Sequence, residues 1–199
     1  MILEYFEDLF DGTLVDWDTD PVELELKKGS KPFNSKYYPV PRINKETFPK
    51  ELKCLVKIRV LYLVQHSQYG TPVFITPKKE VTVRFITDYN RLNQKLARNP
   101  YLLTRIVETI QQLEGFQHAT SLYLNIGYYT IRLPPASQDM ATIVTEFGKF
   151  GYNRIPMGMC VSGDIFQSKV DEILYDIKGS KTYINDILVL IKDFFRKQI

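Results

Sequence analysis

In the stretch Lys181-Thr182-Tyr183-Ile184-Asn185-Asp186-Ile187-Leu188-Val189-Leu190, two short apolar, β-branched runs flank an Asn-Asp pair. The pattern predicts a β-hairpin that lifts Asn185 and Asp186 to its tip. Taken alone, the pair is a turn, since such residues are chosen for their backbone preferences far more often than for chemistry. The other metal-binding residue types are scattered. Cys54 and Cys160 have no paired spacing and His66 and His118 are far apart, which supports neither a disulfide framework nor a zinc site.

Three further stretches precede the hairpin: Thr82-Val83-Arg84-Phe85-Ile86-Thr87-Asp88-Tyr89-Asn90-Arg91-Leu92-Asn93, Leu122-Tyr123-Leu124-Asn125-Ile126-Gly127-Tyr128-Tyr129-Thr130-Ile131, and Ile155-Pro156-Met157-Gly158-Met159-Cys160-Val161-Ser162-Gly163-Asp164-Ile165-Phe166-Gln167. In order and approximate spacing the four resemble a reverse transcriptase, and their wording is most similar to the Ty3/gypsy class of long-terminal-repeat retrotransposons. Four ordered motifs carry weight where one would not. The resemblance covers nearly the whole chain.

That resemblance implies a right-hand polymerase of fingers and palm, acting in RNA-directed DNA polymerisation on an RNA/DNA template-primer with dNTP and Mg²⁺. It also exposes a departure. In the family the hairpin reads Tyr-x-Asp-Asp and the earlier strand carries an aspartate; this chain has Asn185 at the first hairpin aspartate and Tyr123 in the strand, so Asp186 alone remains of three catalytic carboxylates. Nucleotidyl transfer of this kind uses two metal ions roughly 3.5–4 Å apart. A phenol with pKa near about 10 is a poor ligand at neutral pH, and an amide keeps a carbonyl oxygen but no charge. Metal held by Asp186 alone should be insufficient, and polymerisation is expected to be lost. By resemblance, Lys79 and Arg84 grip the incoming triphosphate, Tyr128 forms the aromatic floor beneath the sugar, and Met157 and Gln167 belong to the nucleotide pocket. A point charge and a planar guanidinium suit a polyphosphate, although Lys and Arg also protect exposed sheet edges. Three readings compete: an inactive remnant, a working polymerase supported by Arg84, Asp88, Tyr128, Gln167 and Asp186, and a non-catalytic nucleic-acid-binding module.

The elements that must position these residues follow from periodicity. Residues 1–20 place Ile2, Phe6, Leu9 and Phe10 at helical spacing. Val22, Leu24 and Leu26 alternate as a half-exposed strand, and Phe33 to Pro41 is an extended arm. Leu52, Leu55, Val56 and Val60 predict a helix from Thr47 to about Val64, with Lys50, Lys53 and Lys57 exposed. Arg59 falls where relatives carry Gly, which predicts a frayed or extended end. Thr71 to Ile86 reads as two strands around an off-pattern Glu80-Val81 turn, Asp88 to Leu96 as a turn and short helix, and Ile106, Ile110 and Leu113 as a helical stripe. His118 to Leu124 is a strand with Tyr128 to Leu133 returning antiparallel. Ala141–Val144 and Phe150–Arg154 pair around Gly148, and Ser162 caps a helix Asp164–Ile177.

The fold class expected is α+β: a mainly antiparallel palm sheet backed by helices, with fingers inserted ahead of it. The division expected is an acidic N-terminal segment and lead-in arm over 1–45 lying outside the body, a fingers-like region over 46–115 and a palm-like region over 116–199, with thumb, connection and ribonuclease H absent and Met1 not a natural start. The chain of 199 residues is 44% apolar, ample for a core. No apolar run approaches the roughly 18 residues of a membrane span and no signal peptide opens the chain, so no membrane partner and an intracellular setting are expected. Residues 1–20 hold seven acidic and no basic side chains, leaving 26 basic against 16 acidic in the rest, a net +10. That balance suits a phosphate backbone.

Overall fold

The computed structural model describes residues 5–7, 13–77, 83–102 and 115–191. The turn at Glu80-Val81, Lys79, the stripe Ile106–Leu113 and most of the N-terminal helical stretch lie outside the described residues. The chain divides into two compact units. The first comprises Met1–Arg98 and Tyr128–Ser162, the second Asn99–Gly127 and Gly163–Ile199.

In the first unit, helix α1 (Thr47–Lys57) buries Phe48, Leu52 and Leu55 and leaves Lys50, Lys53 and Lys57 in solvent. The helix stops seven residues short of Val64, because Leu61–Val64 leaves it as strand β1 and pairs antiparallel with β6 (Gly148–Tyr152). A β-branched and aromatic run gains more from a ladder than from another helical turn. Nor is the helix end frayed. Arg59 adopts a left-handed φ of 58°, the Val60 amide donates to the Leu55 carbonyl at 2.9 Å and the Arg59 amide to that of Val56 at 3.0 Å. This paired closure satisfies the last carbonyls in the way a glycine end would, with the steric cost borne by arginine.

Strand β2 (Thr71–Pro77) pairs antiparallel with β3 (Val83–Thr87) and, over two residues, parallel with β5 (Ile143–Thr145), which in turn pairs with β6. The sheet order is β1-β6-β5-β2-β3, so the strand pair expected around residues 71–86 and that around Gly148 both form. Phe48 stacks on Phe85 with ring centres 5.3 Å apart and meets Phe147 at 5.7 Å, which ties α1 to the sheet. A short helix α2 (Asn90–Asn93) follows β3, as expected, and buries Leu92.

Two expected strands are absent as ladders. Residues 22–26 keep the alternation, with Leu24 buried, but make a single bridge, Leu26 to Leu96. Tyr128–Leu133 is not a return strand: Gly127–Thr130 is a turn of 3₁₀ helix, and Ile131 and Leu133 are drawn into the core, where the Ile155 amide donates to Ile131 and the Leu133 amide to Asn153. Helix α3 (Pro135–Met140) then leads into β5. The acidic lead-in, expected to stand outside the body, is tied to the first unit. Asp16 forms an ion pair with the buried Arg154, and the Trp17 and Val22 amides donate to the Thr130 and Arg132 carbonyls. A buried guanidinium needs such a counter-charge.

The second unit is a three-stranded antiparallel sheet in the order β4-β8-β7, from β4 (His118–Tyr123), β7 (Ser180–Tyr183) and β8 (Asp186–Ile191). Helix α4 (Ser162–Leu174) starts earlier and ends earlier than expected and buries Phe166 and Val170. Ser162 gives its hydroxyl to the Pro156 carbonyl at 2.6 Å, which binds the residue to the preceding turn instead of the helix end. Among the described residues no helix is long and apolar enough to cross a membrane.

Candidate functional site

The hairpin forms one residue out of the expected step. Its two-residue turn is Ile184-Asn185, and Asp186 is the first residue of β8. Ile184 has φ of 53°, a strained position for a β-branched side chain. The strain is held by hydrogen bonds. The Ile184 amide donates to the Gln167 side-chain carbonyl at 2.6 Å, and the Leu124 amide donates to the Asn185 carbonyl at 2.8 Å.

Gln167 is buried and supports this turn from α4. Its amide nitrogen donates to Asp171 Oδ1 and to Thr182 Oγ1, each at 2.8 Å, and Thr182 donates to the same Asp171 oxygen. The Tyr101 hydroxyl donates to the other Asp171 oxygen at 3.0 Å, a bond that holds its phenol pKa above the ordinary value. Sequence reasoning found Gln167 but not Asp171, Thr182 or Tyr101; the four-residue interval between Gln167 and Asp171 on one helix is the signal that was there.

In register, Tyr123 on β4 and Tyr183 on β7 both stand opposite Asp186 on β8. Directly opposed residues share a face of a sheet, so the three form a row across it, and all three are exposed. Asn185 does not join them. Its Oδ1 is buried without a hydrogen-bond partner, and a Cβ placed on Gly127 would lie 3.3 Å from that oxygen and 2.7 Å from Phe166 Cζ. Gly127 is therefore the residue that makes room for the inward amide, a role the sequence hinted at only through a glycine after Asn125-Ile126.

These residues do not fit a pair of magnesium ions. Mg²⁺ requires hard, near-octahedral oxygen ligation, whereas the row offers one carboxylate between two phenols and the Asn185 oxygen faces the interior. Among the described residues no group of three or more His, Cys, Asp or Glu is placed to hold a metal.

The remaining expected site residues belong to the first unit. Arg84 projects exposed from β3, opposite Thr76. Tyr128, the second residue of the 3₁₀ turn, is half-buried, and burial raises its phenol pKa. Met157 is exposed in a bend where Gly158 has φ of 97°. That bend lies against the end of β3, since a Cβ on Gly158 would meet Tyr89 Cδ2 at 3.6 Å and the Thr87 carbonyl at 3.7 Å. Asn93 clamps it, donating to the Gly158 carbonyl at 3.0 Å and accepting from the Cys160 amide at 2.8 Å.

No protein-family model matches the chain. Curated proteins do. The Retrovirus-related Pol polyprotein from transposon 412 of Drosophila melanogaster is 27% identical over 176 residues, covering 84% of this chain and 14% of that protein. The Transposon Tf2-7 polyprotein of Schizosaccharomyces pombe is 27% identical over 169 residues, covering 84% and 13%. The chain is a relative of retrotransposon polyproteins. It spans about one-seventh of their length. Among solved structures, a foamy viral protease-reverse transcriptase in complex with an RNA/DNA hybrid superposes with a TM-score of 0.87 at 19% identity, covering 97% of this chain and 26% of that one. The Prototype Foamy Virus protease-reverse transcriptase gives 0.86 at 20%, covering 96% and 26%. The fold is that of reverse-transcriptase fingers and palm, an α+β architecture as expected.

Proposed function

We propose that the chain is the reverse-transcriptase domain of a Ty3/gypsy-type retrotransposon polyprotein in which DNA polymerisation has been lost. The observation that carries this reading is the register of Tyr123 opposite Asp186, with Asn185 turned inward. Two of the three positions that hold carboxylates in the family are a neutral phenol and an amide whose oxygen is buried. Each factor of ten in rate corresponds to about 1.4 kcal/mol of barrier, and the loss of ligands to both ions removes many such factors.

The residues proposed for nucleotide contact are Lys79, Arg84, Tyr128, Met157 and Gln167, with Gln167 acting through the hairpin turn it supports. Fingers-like residues 46–115 and palm-like residues 116–199 are the proposed working division. Primer extension on RNA and DNA templates, with Mg²⁺ and then Mn²⁺, tests the reading. Incorporation at background level is expected, and extension by the pure wild-type chain would overturn it.

A second reading, a non-catalytic nucleic-acid-binding module, is favoured by the solved relatives bound to an RNA/DNA hybrid and to double-stranded DNA and by the chain's net charge of +3. Phosphate contacts do not depend on the missing carboxylates. Affinity should fall steeply with salt as counterions are released; absent or salt-insensitive binding would exclude this reading.

A further inference from the structure

Helix α1 spends its apolar face on the core, where Phe48, Leu52 and Leu55 are buried. At about 3.6 residues per turn, Lys50, Lys53 and Lys57 fall on the opposite side, and all three are exposed. Arg42 and Lys45 precede the helix and Arg59 closes it, each exposed as well. Against these six cations, residues 42–59 hold two acids, Glu46 and Glu51. Glu51 is partly buried and turned toward the Tyr129 phenol, whose pKa is raised first by burial and least by this carboxylate. None of the six cations makes an ion pair with another described residue. The first unit as a whole holds 19 basic and 15 acidic side chains, the acidic N-terminal residues included, a net +4. Residues 42–59 alone are also net +4, so the rest of the unit is balanced and its excess charge sits here.

A helix face kept only for solubility mixes the two signs; from Lys50 to Lys57 this stripe carries one sign over about 10 Å, at roughly 1.5 Å per residue. Such a row suits a polyanion, and the surroundings decide which. A helix lying on an anionic membrane inserts its apolar face among the lipids, but that face of α1 is already taken by the core. An acidic peptide is held by pockets or main-chain pairing beside the charges, and the outer side of a helix has no unpaired main-chain groups to offer. A nucleic-acid strand needs neither. Each strand of a duplex presents a phosphate about every 3.4 Å along the axis, so the row meets about three, one for each lysine. Lysine acts as a point charge, and the stripe has no aromatic ring on which a base could stack. The contact is therefore with the backbone, indifferent to sequence, and stronger for a duplex, whose axial charge density exceeds that of one strand.

We propose that Lys50, Lys53 and Lys57, flanked by Arg42, Lys45 and Arg59, form a docking surface for the phosphate backbone of a nucleic-acid duplex. It is a different surface from that of Arg84, the residue proposed for nucleotide contact. Phe85 stacks on Phe48 and so faces α1, whereas Arg84, one residue earlier on β3, projects from the other face of that sheet. The proposal rests on the reading that the chain binds nucleic acid and gives that reading a location independent of the altered palm residues. No metal ion takes part, because the lysines meet the phosphates directly.

Fluorescence anisotropy with a labelled DNA duplex and with one of its strands, in EDTA over a series of salt concentrations, tests the proposal on the full chain. Lys50→Gln/Lys53→Gln/Lys57→Gln removes the charges and keeps good helix formers. It should lessen the slope of log affinity against log salt by about 3 for the duplex. The matching triple change to arginine keeps the charges and should bind as the wild type does. Lys28→Gln/Lys31→Gln/Lys36→Gln takes the same charge from exposed positions elsewhere in the first unit and should leave the slope near the wild-type value. Circular dichroism establishes that each variant is folded; Lys53→Gln alone, expected to lessen the slope by about 1, replaces the triple variant if that one is not. An unchanged slope in the folded glutamine variant, an equal loss in the Lys28, Lys31 and Lys36 variant, or a loss in the arginine variant overturns the surface and leaves nucleic-acid binding standing. Tighter binding of the single strand than of the duplex also overturns it, as does tighter binding of phosphatidylserine vesicles or polyglutamate through the same lysines. If no nucleic acid binds even at the lowest salt, both the surface and the reading beneath it fall.

Discussion

The Ile184 amide and the Gln167 side-chain carbonyl, seventeen residues apart, are joined by a hydrogen bond of 2.6 Å. It pins a turn residue whose left-handed φ of 53° a β-branched side chain resists. Removing the acceptor leaves the strained amide without its partner and breaks the link to Thr182 and Asp171. Gln167→Ala should cost about 2–3 kcal/mol, the range for an unsatisfied part-buried donor together with lost side-chain packing. Urea unfolding measures it; a loss below about 0.5 kcal/mol, the scale of a surface substitution, would show that the turn holds itself.

Restoring both carboxylates tests the metal argument directly. Tyr123→Asp/Asn185→Asp should take up Mg²⁺ in a calorimetric titration, whereas the wild-type chain should release no heat beyond dilution. Asn185→Asp alone is expected to be less stable than the wild type without metal, by about 1–3 kcal/mol, because the carboxylate replaces an amide oxygen that is buried and unpaired. Mg²⁺ should raise the melting temperature of the double variant and not that of the wild type. Equal metal uptake by both chains would remove the basis for predicting inactivity.

How much of this could be read from residue order depends on the range of the interaction. The hairpin, the pair β2 and β3 and the buried stripe of α1 are local patterns, and they formed. The step from α1 to β1 was missed because Val60 continues the helical spacing while Leu61–Val64 belongs to a ladder with Gly148–Tyr152, almost ninety residues on. The same holds for Tyr128–Leu133. Its alternation suits a strand, but a single antiparallel bridge forms, Arg132 to Arg154, in which the Ile155 amide donates to Ile131 and the Leu133 amide to Asn153. At the site, the substitutions Tyr123 and Asn185 were visible at once. The inward turn of Asn185 was not, since it depends on the space Gly127 leaves beside Phe166.

Arg59 offers a case where a substitution should stabilise the chain. Its φ of 58° closes α1 through two backbone bonds that do not need the arginine side chain. The left-handed region costs an L-residue roughly 1–2 kcal/mol, of which glycine returns part through greater freedom in the unfolded chain. Arg59→Gly should therefore raise stability by about 0.5–1 kcal/mol, seen as a higher urea midpoint at unchanged slope. A lower midpoint would mean that the guanidinium, not the backbone, holds this corner.

High pH should unfold the first unit through its buried phenols. Tyr89 and Tyr152 are fully enclosed and Tyr129 lies stacked on Tyr152 with ring centres 6.2 Å apart; burial is the largest cause raising the pKa of all three. The folded state keeps these groups protonated, whereas in the unfolded chain they ionise near about pH 10. Below that pH the two states bind the same protons and the contribution is fully present. Above it the unfolded chain gives up protons that the folded chain retains, so stability falls as pH rises toward the folded values. Phenolate absorbance followed together with circular dichroism should show Tyr89, Tyr129 and Tyr152 ionising only as the fold is lost. A single smooth titration of all tyrosines near pH 10, with the circular dichroism unchanged, would contradict the burial of this cluster.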